Sequence, residues 1–431
     1  MSSKMKKWIP AVVAPATVVA LSIAVPMQAN AEIDLPDKTA SEILQMMNTE
    51  PDMSFSGRVT KVSNLGLPPI GNMPDVSESM VEEMEENMPE GMEEFIPRVT
   101  ESNMVTDLLE IISGTHEARI YVDGPEKLRI QILDPMSERS ITVNGDTVWF
   151  YDDDKLAAQF MTMDLEELEA KASEYEADPE KTAEIEQMIA ELPFDINNPA
   201  EVADYLLAEA SEYSEITVGV DQNVAGRAAY ELIATPLAAE TTVDYVSVAI
   251  DAETGMALNV KIAAKGQVEP AMEIGFTSID YSTPDASIFE FSPSSDVTVT
   301  EMEMPEEFTI DGETYTREQL EAELESKMAE YQANKPTEEE LQAEYDALKA
   351  EYEAMENKPV VYENGWATVV EMTLGDEMPV EMFESELFSE MTQQVDGGQV
   401  ISTSLLNVLL TDDGRIFAGA VTTEYLLEIA G

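Results

Sequence analysis

Between residues 113 and 151 apolar side chains recur at every second position, Ala118, Ile120 and Val122 first and then Leu128, Ile130 and Ile132. A period of two marks half-buried strands. Asp123-Gly124-Pro125 breaks the first run, Asp134-Pro135 breaks the second, and Asn144-Gly145 supplies the φ > 0 pair of a tight hairpin. The pattern predicts a four-stranded antiparallel meander with one apolar face, the other carrying Arg119, Lys127, Arg129 and Gln131. Such a sheet has to cover its apolar side, and whatever covers it decides what the protein does.

The same periodicities extend along the chain. A short helix is predicted over 39–47 and a strand over 53–62. From 66 to 99 the alternation fails, and Met80, Met84 and Met88, four apart, fall on one helical face. Thioethers are soft ligands that would suit copper(I). Flexible methionines among glutamates read better as a mobile flap over an apolar surface, so no metal site is assigned. An acidic helical stretch over 165–192 precedes a helix over 199–210, whose Val202, Leu206 and Ala210 share one side in the manner of an amphipathic lid. Strands resume over 215–220, 226–234, 242–251, 258–264, 272–281 and 289–291. Residues 301–357 read as a small hairpin (308–315) and two acidic helices, opened by the capping boxes Thr316-x-x-Gln319 and Thr337-x-x-Glu340. The end holds a strand over 366–372, a strand pair 405–411 and 416–421 joined by Asp412-Asp413-Gly414-Arg415, and a helix capped by Thr422 or Thr423.

Composition narrows the chemistry. Lys4, Lys6 and Lys7, an apolar run over 11–25 and Ala29-Asn30-Ala31 before Glu32 form an export signal with a cleavage site. Pro15 and Pro26 leave that run too short and broken for a membrane span, so an extracytoplasmic chain without a transmembrane segment is expected after cleavage. With no cysteine, disulfides, thiolate metal sites, thiol nucleophiles and lipid attachment are excluded. The 88 acidic against 23 basic residues give a formal charge of −65, which excludes electrostatic affinity for nucleic acid or an anionic lipid surface. The acid is spread along the whole chain and reads as a halophilic surface; no D-x-[DN]-x-[DN]-G loop suggests calcium storage. The one histidine, His116, alternates in phase with Ala118 and reads as structural. No G-x-S-x-G, H-E-x-x-H, G-x-x-x-x-G-K-[ST] or G-x-G-x-x-G is present. No catalytic residue and no cofactor is assigned, and the chain is not expected to be an enzyme.

Several segments resemble a known family. S-F-S-G at 54–57, L-G-L-P-P at 65–69, I-S-G-T-H-E-A-R-I-Y-V-D-G-P-E-K-L-R at 112–129 and N-G-D-T-V-W-F-Y at 144–151 are similar to the LolA-type lipoprotein-carrier domain (LolA/LolB/RseB-like), above all to its Gram-positive relatives. V-A-G-R-A-A-Y-E-L at 224–232, V-A-I-D-A-E-T-G at 248–255 and F-E-F-S-P at 289–293 extend the likeness. G-W-A-T-V-V at 365–370 and L-L-T-D-D-G-R-I-F-A-G-A-V-T at 409–422 resemble the small C-terminal module of the same relatives. The Met-rich segment 73–92 and the acidic hairpin 301–357 depart from the family pattern.

The resemblance implies an α+β fold: a half-open antiparallel β-barrel whose concave apolar side is plugged by helices and leaves room for acyl chains. The expected organisation is a signal peptide over 1–31, the barrel domain over 32–300, an acidic helical hairpin insert over 301–358 and a C-terminal α+β module over 359–431. The expected function is an exported carrier or chaperone of the cell envelope that binds a lipid or lipidated protein. It would work with an ABC transporter or a membrane-anchored regulator. An envelope-stress sensor resembling RseB is the alternative from another class. Ile120, Val122, Ile130, Ile132, Trp149 and Tyr151 are the candidate cavity wall, with Leu206 and Leu207 from the lid helix.

Overall fold

The computed structural model describes residues 33–47, 53–66, 113–133, 137–163, 189, 192–195, 198–302, 307–310, 313–316, 319, 326, 358–373 and 392–431. They form two compact units. The first takes the described residues within Met1–Gly66, Ile111–Met302 and Gly365–Ala367, and the second those within Leu67–Glu110, Glu303–Asn364 and Thr368–Gly431. The expected signal, the flap methionines Met80, Met84 and Met88, the helical stretch over 165–188 and most of the acidic hairpin lie outside the described residues.

In the first unit, helix α1 (Ala40–Met46) precedes strand β1 (Ser54–Ser63). Then come the predicted meander, β2 (Gly114–Asp123), β3 (Lys127–Leu133), β4 (Glu138–Asn144) and β5 (Thr147–Asp152), and a further strand β6 (Ala157–Thr162). Helix α2 (Pro199–Ser211) leads to β7 (Ser214–Val218), β8 (Gln222–Val224), β9 (Arg227–Pro236), β10 (Val243–Asp251), β11 (Ala257–Ala264) and β12 (Met272–Asp280). A 3-10 turn (Ala286–Phe289) and β13 (Thr298–Glu301) complete it. All thirteen strands belong to one sheet in the order β13-β6-β5-β4-β3-β2-β1-β12-β11-β10-β9-β7, with β8 also paired to β9.

Local chemistry explains the boundaries. Thr39 caps α1 through a full capping box with Glu42, and Asn198 caps α2 just before Pro199. The β4–β5 loop is Gly145-Asp146, closed by the pair Asn144–Thr147, and Gly145 takes φ 61°. Asn144 is thus the last strand residue, not half of a left-handed pair.

Three expectations are corrected. The sheet is mostly antiparallel but does not close into a barrel: β13 and β7 are its two edges, and β13 joins β6 in parallel. Residues 289–291 are not a strand, because Phe289 ends the 3-10 turn and is buried. The strand expected over 366–372 begins only at Val369. Residues Gly365–Ala367 form a 3-10 turn in the first unit, where the Trp366 indole donates to Ser214 Oγ at 2.7 Å and Ala367 is fully buried.

The second unit contains the predicted hairpin, β14 (Glu307–Ile310) and β15 (Glu313–Thr316), and the Thr316–Gln319 capping box beyond it. It also holds β16 (Val360–Tyr362), β17 (Val369–Thr373), β18 (Thr392–Val395), β19 (Gly398–Ser402), β20 (Asn407–Thr411), β21 (Arg415–Gly419) and helix α3 (Thr423–Ala430). The last six strands form a sheet in the order β16-β17-β21-β20-β19-β18, with α3 packed on β20 and β21. Thr422 is the N-cap of α3, its hydroxyl accepting from Tyr425 N–H. Val400, Leu409, Phe417 and Leu426 form the fully buried interior.

Candidate functional site

Residues directly opposite one another in a ladder share a face, so the register assigns each candidate to a side of the sheet. Ile120 faces Ile130, Val122 faces Leu128 and Ala118 faces Ile132. Across β1 the same side continues through Phe55, Gly57 and Val59. Toward β5 it continues through Ile141 to Phe150 and through Val143 to Val148. Ile120, Val122, Ile130 and Ile132 therefore lie together on one apolar face, each half-buried, with Phe150 36% exposed. Gly57 leaves room there for the Phe276 ring, whose Cε1 would lie 2.6 Å from an added Cβ; the ring meets Phe55 edge-on at 6.0 Å.

Trp149 and Tyr151 stand on the opposite face. They pair with Thr142 and Ser140, out of phase with Ile141. The chain's own segment after the 3-10 turn occupies them: the Phe291 ring lies 5.1 Å from Trp149 and 5.3 Å from Tyr151, and Phe160 stacks on Trp149 at 4.7 Å. Arg129, on that face too, donates to the Ile288 carbonyl at 2.9 Å. The Tyr151 hydroxyl donates to Asp153 at 2.7 Å, and this bond with burial pushes its pKa up to about 12. Six candidates expected on one wall are thus divided four to two by the sheet.

The helices dock on the apolar face, but at its other end. Ile43 of α1 is fully buried against Tyr230, Leu232 and Ile250 of β9 and β10. Helix α2 packs on α1 and β7. Its inward residue is Ala203, 3% exposed, whereas Leu206 is 41% exposed and Leu207 half-buried. The expected lid stripe through Val202, Leu206 and Ala210 is therefore rotated: Ala203 is the buried residue of α2 and Leu206 is exposed.

One row of directly opposed residues crosses the apolar face from the α1 site into the meander: Leu232, Val248, Val260, Ile274, Lys61 and His116. Four apolar residues thus end in a lysine and the lone histidine. Lys61 is 3% exposed. Its ammonium donates to the Ser113 carbonyl at 3.4 Å, and His116 Nε2 lies 2.8 Å from the same oxygen. Desolvation by burial lowers the Lys61 pKa to about 8. This cation was missed in the sequence, yet it had a signal: Lys61 stands in the phase of Phe55, Gly57 and Val59 on β1.

The segments that carry the family resemblance build a clasp at the opposite end of the strands. Arg227 holds Asp251 with two bonds, Nε–Oδ2 at 2.7 Å and Nη2–Oδ1 at 2.9 Å, and reaches Glu253 at 2.7 Å. The Glu253 and Thr254 amides and the Tyr281 hydroxyl also donate to Asp251. Burial alone would raise the Asp251 pKa, but the Arg227 and amide hydrogen bonds outweigh it and hold the carboxyl below its usual range. Gly255, at φ 73°, closes the turn so tightly that an added Cβ would fall 1.6 Å from the Met46 carbonyl oxygen of α1. These residues secure the helix to the sheet and leave the apolar face to other side chains.

Among the described residues no group of three His, Asp or Glu is placed to hold a metal ion, and no helix is long and apolar enough to cross a membrane. No family model matches the chain, and no curated protein matches it. Solved structures similar to it include the MucA/MucB complex of Pseudomonas aeruginosa, with 13% identity, 91% of this chain and 96% of that chain covered, and a TM-score of 0.35. A LolA superfamily protein from Nitrosomonas europaea has 9% identity over 59% of this chain and 99% of its own, with a TM-score of 0.20. A putative outer membrane lipoprotein-sorting protein domain from Vibrio parahaemolyticus has 10% identity over 58% and 95%, with a TM-score of 0.20. At these scores the likenesses carry neither fold detail nor function across.

Proposed function

We propose that the protein is an extracytoplasmic binding protein that holds the acyl chain of a lipid or lipidated protein against the apolar face of β1–β5. The observation that carries this is the register. It aligns Ile120, Ile130, Ile141 and Phe150 on one apolar face, the three isoleucines half-buried and Phe150 36% exposed, while α1 and α2 rest on β7, β9 and β10. From Ile120 through Ile130 and Ile141 to Phe150 the face crosses four strands, about 14 Å at roughly 4.8 Å per strand spacing, a span that can receive a segment of an extended acyl chain. The export signal expected over residues 1–31 supports this reading, since outside the cytoplasm lipids and lipidated proteins need shielding from water.

An apolar fluorescent probe should bind the mature protein in molar salt, and Ile130→Glu should weaken it by about tenfold or more, because a carboxylate on an apolar wall is costly to desolvate. Native mass spectrometry of protein from its own host should show a bound lipid. A protein that is folded by circular dichroism, binds no probe and carries no lipid would refute the proposal.

A further inference from the structure

We infer that the segment from Ala286 to Glu301 is a strap that clamps the acyl face from behind, and that its local opening and the occupancy of that face are coupled. This rests on the function proposed above and names a regulation of the same site. The strap crosses the opposite side of β3, β4 and β5. On β3 the Arg129 guanidinium donates to the Ile288 carbonyl at 2.9 Å, and on β5 the Phe291 ring lies 5.1 Å from Trp149 and 5.3 Å from Tyr151. Between them on β4 stand Ser140 and Thr142, opposite Tyr151 and Trp149 in the ladder and 4% and 1% exposed. Neither hydroxyl finds a hydrogen-bond partner among the described residues, and neither does Arg129 Nε. A buried polar group left unpaired opposes the contact that buries it, and opening returns these three to water.

The strap itself is lightly held. Of its residues from Ala286 to Glu301 only Phe289 is buried. Its far end is β13, a four-residue edge strand exposed throughout and paired to β6 in parallel, the weaker mode of pairing. Few buried apolar contacts and exposed backbone hydrogen bonds are the marks of a segment that opens without global unfolding. Each grip of the strap is a sequence neighbour of the acyl wall. Arg129 precedes Ile130, Ser140 and Thr142 flank Ile141, and Trp149 and Tyr151 flank Phe150, while Ile130, Ile141 and Phe150 oppose one another on the other face. Neighbours in a strand share backbone and point to opposite faces, so a strap that holds the pairing and twist of β3–β5 also fixes the spacing of the wall. Closed strap and bound acyl chain therefore favour each other, and the coupling is reciprocal.

The test is amide hydrogen exchange and titration with an apolar fluorescent probe, both on the full chain in molar salt, for the natural protein and two variants on the strap side. Peptides covering 286–301 should exchange at least about tenfold faster than those covering β10 and β11, and bound probe should slow them. Phe291→Ala should speed exchange of 286–301 further and weaken the probe about fivefold, the lower end of typical coupling, although Phe291 stands on the other face. Thr142→Val removes an unpaired hydroxyl at nearly the same shape and should do the reverse, with slower strap exchange and binding at least as tight. Strap exchange as slow as that of β10 and β11 would overturn the inference. So would a Phe291→Ala protein whose strap exchanges faster while its probe affinity is unchanged; lipid binding would then stand without the coupling. Faster strap exchange in Thr142→Val would show a hydroxyl that has a partner and would overturn it as well. Should Phe291→Ala fail to fold, Thr142→Val and the effect of the probe on strap exchange in the natural protein decide. A folded natural protein that binds no probe removes the proposed function, and the coupling with it.

Discussion

Lys61→Met should remove a distinct pH dependence of stability. Lys61 is 3% exposed, and burial moves its pKa from 10.5 to about 8. Each pKa unit is worth about 1.36 kcal/mol, so below pH 8 the buried ammonium costs the fold about 3 kcal/mol. Between about pH 8 and 10.5 the unfolded chain binds the proton more strongly than the folded one, so the stability of the natural protein rises with pH through that window. Methionine keeps an unbranched, apolar stem beside Ile274 and carries no charge; it forfeits the long bond to the Ser113 carbonyl, worth about 1 kcal/mol. The expectation is that the stability of the variant relative to the natural protein falls by about 3 kcal/mol as the pH rises from 7 to 10.5, because the natural protein alone gains stability through that window. Urea unfolding followed by circular dichroism in molar salt, repeated from pH 6.5 to about 10, measures both quantities. A stability difference between the two that does not change with pH would refute the reasoning.

Two further outcomes follow from the structure. Gly255→Ala should destabilise by on the order of 3 kcal/mol or more, adding left-handed strain to the clash with Met46 and the partial loss of Ile43 burial, whereas Gly226→Ala, also at positive φ but with open space around it, should cost only about 1–2 kcal/mol; similar losses at both positions in thermal unfolding would argue against the α1 contact. The melting temperature should climb steeply from dilute buffer to molar sodium chloride, because the screening length of this −65 chain falls from about 10 Å at 0.1 M to about 3 Å at 1 M, and lowering the pH toward about 4.5 should partly mimic salt by protonating carboxylates; a melting temperature unchanged by salt would refute the halophilic surface.

The sequence by itself determined the elements whose causes are local. Alternation places β1 to β4 and β9 to β12 close to their observed spans, Gly124 and Gly145 mark turns, Thr39 and Thr422 cap α1 and α3, and Thr316 bonds Gln319 as the capping-box motif predicts. Each depends on a few neighbouring residues, so nearest-neighbour physics suffices. The candidate wall was half legible. Ile120, Val122, Ile130 and Ile132 alternate with polar residues, and their phase shows which side they take. Val148-Trp149-Phe150-Tyr151 is apolar in both phases, so only the pairing of β5 with Ile141 and Val143 of β4 assigns Val148 and Phe150 to the wall and Trp149 and Tyr151 to the side of Phe291. Helix α2 likewise has apolar residues at 202, 203, 206 and 207, a stripe too broad to reveal which edge is buried. The sheet stays open because neither β13 nor β7 finds the other, and edge pairing between strands more than eighty residues apart has no local signal. Lys61 is the sharpest case: its phase was visible in β1, but its burial arises only when β12 and β2, from distant parts of the chain, flank it with Ile274 and His116.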